Sequence, residues 1–110
     1  MNKCIFSGRM VRDPELRKTQ GGIDVCDFTI AVDRPVTKKE DKVADFFRCT
    51  AWGSKDGPGK AGAIGRYLHK GDGITVEGVM TTERYQDKET GKNVTSYKLM
   101  GNSKLFTSSL

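Results

Sequence analysis

The sequence predicts an all-β domain with one short helix, built as a small five-stranded Greek-key barrel. Three observations carry this expectation. Apolar and polar residues alternate in short runs along the 110-residue chain, the two-residue period of a half-buried strand. Glycine and proline punctuate the runs, as turns require. Helical spacing occurs in one segment only, between the third and fourth β-rich runs.

The elements follow in order. KCIFSGR (3–9) is a short β-rich run that ends near a glycine. In the next stretch, Asp13-Pro14 and Gly21-Gly22 mark turns, with Glu15 to Lys18 extended between them. VCDFTIAV (25–32) is the second strand, with Cys26, Phe28, Ile30 and Val32 on its apolar face and Asp27 and Thr29 pointing away. Arg34-Pro35 ends it, and the charged loop VTKKEDK leads to the third strand, DFFRCTAWG (45–53). After the loop GSKDGPG, Ala61, Ile64 and Leu68 recur at helical spacing, and Gly71 stands where a C-terminal cap belongs. Gly62 and Gly65 each weaken that helix by about 1 kcal/mol relative to alanine, so it depends on packing. His69 falls in its last turn. ITVEGVMTT (74–82) is the fourth strand, and its Gly78 marks a bulge or tight bend. Tyr85 and DKETGK form a hairpin tip, Val94 to Met100 is the fifth strand, and Lys104 to Phe106 a short last one.

Several short strands with glycine-rich turns fit a sandwich or a barrel. Five strands with one helix between the third and fourth is the arrangement of the OB-fold. With neither an internal repeat nor a linker, residues 1–110 read as one domain. A chain of this length buries about two thirds of its unfolded surface without needing staples.

The formal charge is +5 and the isoelectric point about 9.2. That balance suits an anionic partner, nucleic acid or membrane surface, and equally a protein that is merely basic. Cys4, Cys26 and Cys49 are widely spaced and His69 is the only histidine, too few ligands for a zinc site. An odd cysteine count inside apolar runs reads as core thiols in a reducing compartment. There is no transmembrane-length apolar run and no signal-peptide core, so the reading is cytoplasmic. GPGKAG (57–62) departs from the Walker phosphate loop, because Ala61 follows Lys60 and Ser54 occupies the earlier glycine position. The acidic residues form no acid–base or metal constellation. Neither a cofactor nor an enzymatic activity is expected.

The informative stretch is DFFRCTAWG. Alternation puts Phe46, Arg48, Thr50 and Trp52 on one face and Phe47, Cys49 and Ala51 on the other. The second set is ordinary core. The first lines up two large aromatics with a cation between them, and Arg84 and Tyr85 add another such pair at the hairpin. Aromatic faces stack bases at about 1–3 kcal/mol each, with tolerance for any sequence. Cations hold the phosphates. Outward aromatics also serve cross-strand packing or a subunit interface, so an OB-fold interaction or assembly module is the alternative. Single-stranded RNA binding is another, since nothing in the residues addresses the 2′-hydroxyl.

The chain resembles the bacterial single-stranded DNA-binding proteins over nearly its whole length. MNKCIFSGRMVRDPELRKT is similar to that family's first strand and its G-R-x-x-x-DPE-x-R turn; CDFTIAVDRP and ADFFRCTAWG resemble its second and third strands. YLHKGDGITVEGVMTTERY carries its Y-L-x-K-G and V-E-G signatures. The resemblance implies sequence-independent binding of single-stranded DNA in replication, recombination and repair, by OB-folds assembled as homotetramers and associated with the nucleoid. It implies base stacking on Phe46, Trp52 and Tyr85 and phosphate contacts from Arg48, Lys70 and Arg84, with Lys38 and Lys39 beside them. Val36 stands where the family often has a further aromatic, which implies weaker binding per subunit or a changed DNA path. The sequence ends at FTSSL, where family members usually continue to an acidic-tipped tail that recruits enzymes. Such recruitment is not expected, whether the chain is a tailless form or an isolated DNA-binding domain.

Overall fold

The computed structural model describes residues 1–35, 43–57, 59–101 and 106–108. Its elements are β1 (Cys4–Met10), β2 (Glu15–Lys18), β3 (Asp24–Asp33), β4 (Ala44–Trp52), α1 (Gly59–Tyr67), β5 (Gly73–Gln86), β6 (Asn93–Gly101) and β7 (Phe106–Ser108). Neighbours run in the order β1-β3-β4-β6-β5, and β5 returns to pair with β1. Five strands therefore close into a ring, the OB-fold barrel, with the single helix between β4 and β5. All pairings are antiparallel except β4 with β6. Two short strands lie outside the ring, β2 on β3 and β7 on β5. The last strand begins at Phe106; Lys104 lies outside the described residues.

The apolar faces predicted for the second and third strands of the sequence, now β3 and β4, are the ones that turn inward. Cys26, Phe28 and Ile30 of β3, Cys49 and Ala51 of β4, Ile74 and Val76 of β5 and Leu99 of β6 are buried together. Phe47 joins them and stacks on Phe6 of β1, with ring centroids 4.3 Å apart. Offset ring pairs of this kind add about 0.5–1.5 kcal/mol beyond their buried area. Ala61 and Ile64 of α1 close one end of the core, with Leu68 packed against it. Gly65, costly in a free helix, is needed here: a Cβ at that position would come within 2.9 Å of the Leu16 side chain on β2.

Two glycines allow the ring to close. A Cβ on Gly8 would collide with the Ala31 carbonyl, and one on Gly78 with the Met100 carbonyl. Gly78 is paired with Cys4 in regular register, so it marks a close backbone approach and not a bulge. β5 passes there from its pairing with β1 to its pairing with β6.

His69 stands beyond the helix, contrary to its expected place in the last turn. α1 ends at Tyr67. The Leu68 N–H still reaches the Ile64 carbonyl at 3.2 Å, but the His69 N–H donates to Asp72 Oδ2 at 2.8 Å and closes a turn in place of a helical bond. Gly71 follows at φ +92°, a conformation suited to glycine, and its N–H donates to the Met10 carbonyl at 2.8 Å.

Candidate nucleic-acid interface

Strand register decides which residues share a surface, because directly opposed residues lie on one face. On the outward side, β4 sets Trp52 opposite Val25, Thr50 opposite Asp27, Arg48 opposite Thr29 and Phe46 opposite Ala31 of β3. On its other edge Thr50 is level with Met100 of β6, so Lys98, Ser96 and Val94 follow on the same side. Ser96 in turn opposes Glu83, and Val94 opposes Tyr85. Phe46, Arg48, Trp52 and Tyr85 thus all stand on the outward side of one continuous sheet.

Their environments differ. Phe46 is 66% exposed and Tyr85 55%, large exposures for aromatic side chains. The Arg48 Nη2 donates to Ser96 Oγ at 3.0 Å, and no ion pair to Arg48 occurs among the described residues. Trp52 is half-buried, and its indole Nε1 is buried without a hydrogen-bond partner among the described residues. Thr50 is buried and donates from Oγ1 to Asp27 Oδ1 at 2.8 Å. Arg17 of β2 donates from Nε to Asp27 Oδ2 at 2.7 Å. Burial pushes the Asp27 carboxyl up, but the hydrogen bonds from Arg17 and Thr50 and the charges of Arg17 and Lys98 outweigh it and hold the group below its usual range.

The predicted cations are less concentrated. Arg84 opposes Thr95 and so stands on the other face of the β5–β6 hairpin from its neighbour Tyr85, exposed there. Lys70 is exposed in the turn after α1, where its N–H donates to Asp13 Oδ1 at 2.9 Å. Arg12, beside Asp13, reaches back to the sheet with Nη2 3.4 Å from Thr29 Oγ1. Lys38, Lys39 and Val36 lie outside the described residues.

Two features were not legible in the sequence. A polar groove of about 330 Å³ runs along the outward face, where Arg12, Arg17, Arg48 and Lys98 meet Asp13, Glu15 and Asp27. The residues of β2 join it only because that short strand adds to β3. The second feature is Tyr97, 62% exposed. It lies two residues before the core residue Leu99, so alternation assigns it to the interior.

Burial raises the thiol pKa of both Cys26 and Cys49 to about 12, with the Asp27 charge adding to the effect at Cys26. Among the described residues no group of three or more His, Cys, Asp or Glu could hold a metal ion. Among them, too, no helix is long and apolar enough to cross a membrane.

Residues 1–106 match the model of the "Single-strand binding protein family". A single-stranded DNA-binding protein of Halalkalibacterium halodurans is 36% identical over 107 residues, covering 96% of this chain and 60% of that protein. One of Fusobacterium nucleatum is 38% identical over 106 residues, covering 94% of this chain and 64% of that protein. The chain therefore spans somewhat under two thirds of the length of these relatives. A solved structure of the Plasmodium falciparum SSB in complex with ssDNA superposes with a TM-score of 0.80 at 18% identity, covering 98% of this chain and 96% of that one. It is a likeness of fold.

Proposed function

The chain belongs to the single-strand binding protein family, and from that premise we propose that it binds single-stranded DNA without sequence preference and without catalysis. The observation that carries this reading is the outward face itself: Phe46 and Trp52 flank Arg48 on β4, and Tyr85 stands on the same side of the sheet. Bases stack on the three rings while Arg48 holds the phosphates between them. Lys70 and Arg84 meet the strand as it leaves the sheet at either end, and Lys38 and Lys39 are further phosphate contacts. Relatives named single-stranded DNA-binding proteins support the same polymer as partner. The protein works in the cytoplasm at the nucleoid, as a homotetramer, holding transient single strands during replication, recombination and repair.

The test is the fluorescence of Trp52, the only tryptophan, during titration with oligo(dT) at low and high salt. Quenching by the single strand, absent with duplex DNA, is expected. Binding should weaken with salt through counterion release, but less steeply than for a purely electrostatic binder, because stacking is not screened. Emission that responds to protein dilution and not to oligo(dT) would make Trp52 an interface residue instead.

A further inference from the structure

We propose that Tyr97 is an additional base-stacking residue, forming with Phe46 the two walls of a cleft that takes one nucleobase of the bound strand. The proposal rests on the single-stranded DNA reading above and adds a site to it.

The cleft follows from how β4 and β6 meet. The two strands pair at Cys49–Ala51 with Leu99–Gly101. Toward the N-terminal end of β4, Phe46–Arg48 and Ser96–Tyr97 flank an opening of about 520 Å³. That size lies within the roughly 300–1,000 Å³ of small-ligand clefts. Phe47, Met80 and Leu99 form its apolar floor. The floor is fixed from beneath, since Phe47 is stacked on Phe6. Phe46 and Tyr97 also line the opening, both more than half exposed. Arg48 completes it, held in place by Ser96 Oγ at 3.0 Å.

These groups define the ligand. Two aromatic walls over an apolar floor suit a flat ring with little polar demand on its faces. A cation at the rim, without a carboxylate partner among the described residues, suits a phosphate attached to that ring. A nucleotide of a flexible single strand meets both demands at once. The cleft is also continuous with the proposed DNA face, because Phe46 and Arg48 belong to both. A rigid duplex cannot present an unstacked base to it, so the cleft favours single strands.

The experiment compares wild type, Tyr97→Ala and Tyr97→Phe by fluorescence anisotropy on labelled oligo(dT) across a salt series, with thermal unfolding alongside. Tyr97→Ala is expected to weaken binding roughly 5- to 150-fold, the range for one stacked base, with an unchanged unfolding midpoint. Its salt dependence should match wild type, because no charge is removed. Tyr97→Phe should bind within about twofold of wild type, since stacking needs the ring and not the hydroxyl. As a direct readout, the emission of Trp52→Phe/Tyr97→Trp should be quenched by oligo(dT). Wild-type binding together with unimpaired Tyr97→Ala and an unresponsive tryptophan at 97 overturns the cleft and leaves the broader reading standing. A wild type that binds no oligo(dT) overturns both. An emission at 97 that changes on protein dilution and not with oligo(dT) makes the cleft a contact between copies of the chain and also overturns the proposal.

Discussion

Asp27 accepts a hydrogen bond from Arg17 Nε at 2.7 Å on the outward face of the barrel, the face proposed to bind single-stranded DNA. A carboxylate there repels phosphate and occupies a guanidinium that phosphate would otherwise attract. Its second oxygen is held by Thr50 at 2.8 Å, so the carboxylate is fixed in the groove and cannot swing away. Under the proposed function, the pair moderates affinity for the strand.

Asp27→Asn should therefore tighten oligo(dT) binding and steepen its salt dependence. One more phosphate neutralised changes the slope of log K against log salt by about 0.7 for a single strand. Arg17→Gln combined with Asp27→Asn should return the slope to that of wild type, because both charges are then gone. Affinity measured across a salt series in the three proteins checks this; a double variant as steep as Asp27→Asn would show that Arg17 is not the cation released.

The same pair sets an acid limit on folding. The carboxyl of Asp27 is held below its ordinary range in the folded protein. The stability it confers is present above the unfolded value, about 3.9, and is lost as pH falls through the lower folded value. Thermal unfolding between pH 5 and pH 2 should fall more steeply in wild type than in Asp27→Asn. At neutral pH the two should differ by about 1 kcal/mol or less, because the pair is partly exposed and screened.

Trp52 combines a proposed stacking role with a structural one. It is half-buried, and its indole nitrogen is enclosed without a partner among the described residues, a condition that costs about 1–3 kcal/mol. Trp52→Phe removes that polar group while losing ring area, so folding stability should change by less than about 1 kcal/mol. Trp52→Ala should weaken oligo(dT) binding by roughly 5- to 150-fold, far more than it unfolds the protein. Urea unfolding and DNA titration of the two variants separate these effects; equal losses of stability and binding in Trp52→Ala would make the residue core.

Much of this arrangement was readable because it depends on parity within one strand. Phe46, Arg48 and Trp52 share a face on any straight strand, and Cys26, Phe28 and Ile30 turn inward for the same reason. What depends on contact between distant strands was not readable. The parallel pairing of β4 with β6 brings Arg48 to Ser96 across 48 positions of sequence, and nothing local announces it. Asp27 looked like an unremarkable outward carboxylate until β2 added to β3 and placed Arg17 beside it. Arg84 and Tyr85 are neighbours on β5 and stand on opposite faces of the hairpin, a separation that alternation within one strand already implies. Tyr97 has the parity of the core but stands where β4 and β6 leave a cleft, so the same rule that found Phe46 concealed it.

Gly8 and Gly78 mark the places where ring closure is most exposed to substitution. A methyl group at either would strike a backbone carbonyl, of Ala31 or Met100, and backbone cannot move aside as a flexible side chain can. Gly8→Ala and Gly78→Ala should each cost several kcal/mol, in the upper range for single substitutions. Gly57→Ala is the control, since nothing lies within 4 Å of a Cβ there. Urea unfolding of the three variants should separate the first two clearly from the third.

The thiols offer a direct test of the predicted core. Cys26 and Cys49 are buried, and their pKa values are raised to about 12. A thiol reacts with disulfide reagents as the thiolate, so at pH 8 these two lack both the reactive form and access. Cys4, the first residue of β1, is half-buried and so more accessible to the reagent. Titration of the native protein with an aromatic disulfide reagent should release one equivalent quickly. The other two should follow only at the rate of global unfolding, and all three should appear at once in strong denaturant. Three fast equivalents from native protein would mean that β3 and β4 open locally without global unfolding, and that the Cys26 and Cys49 side of the core is not closed in solution.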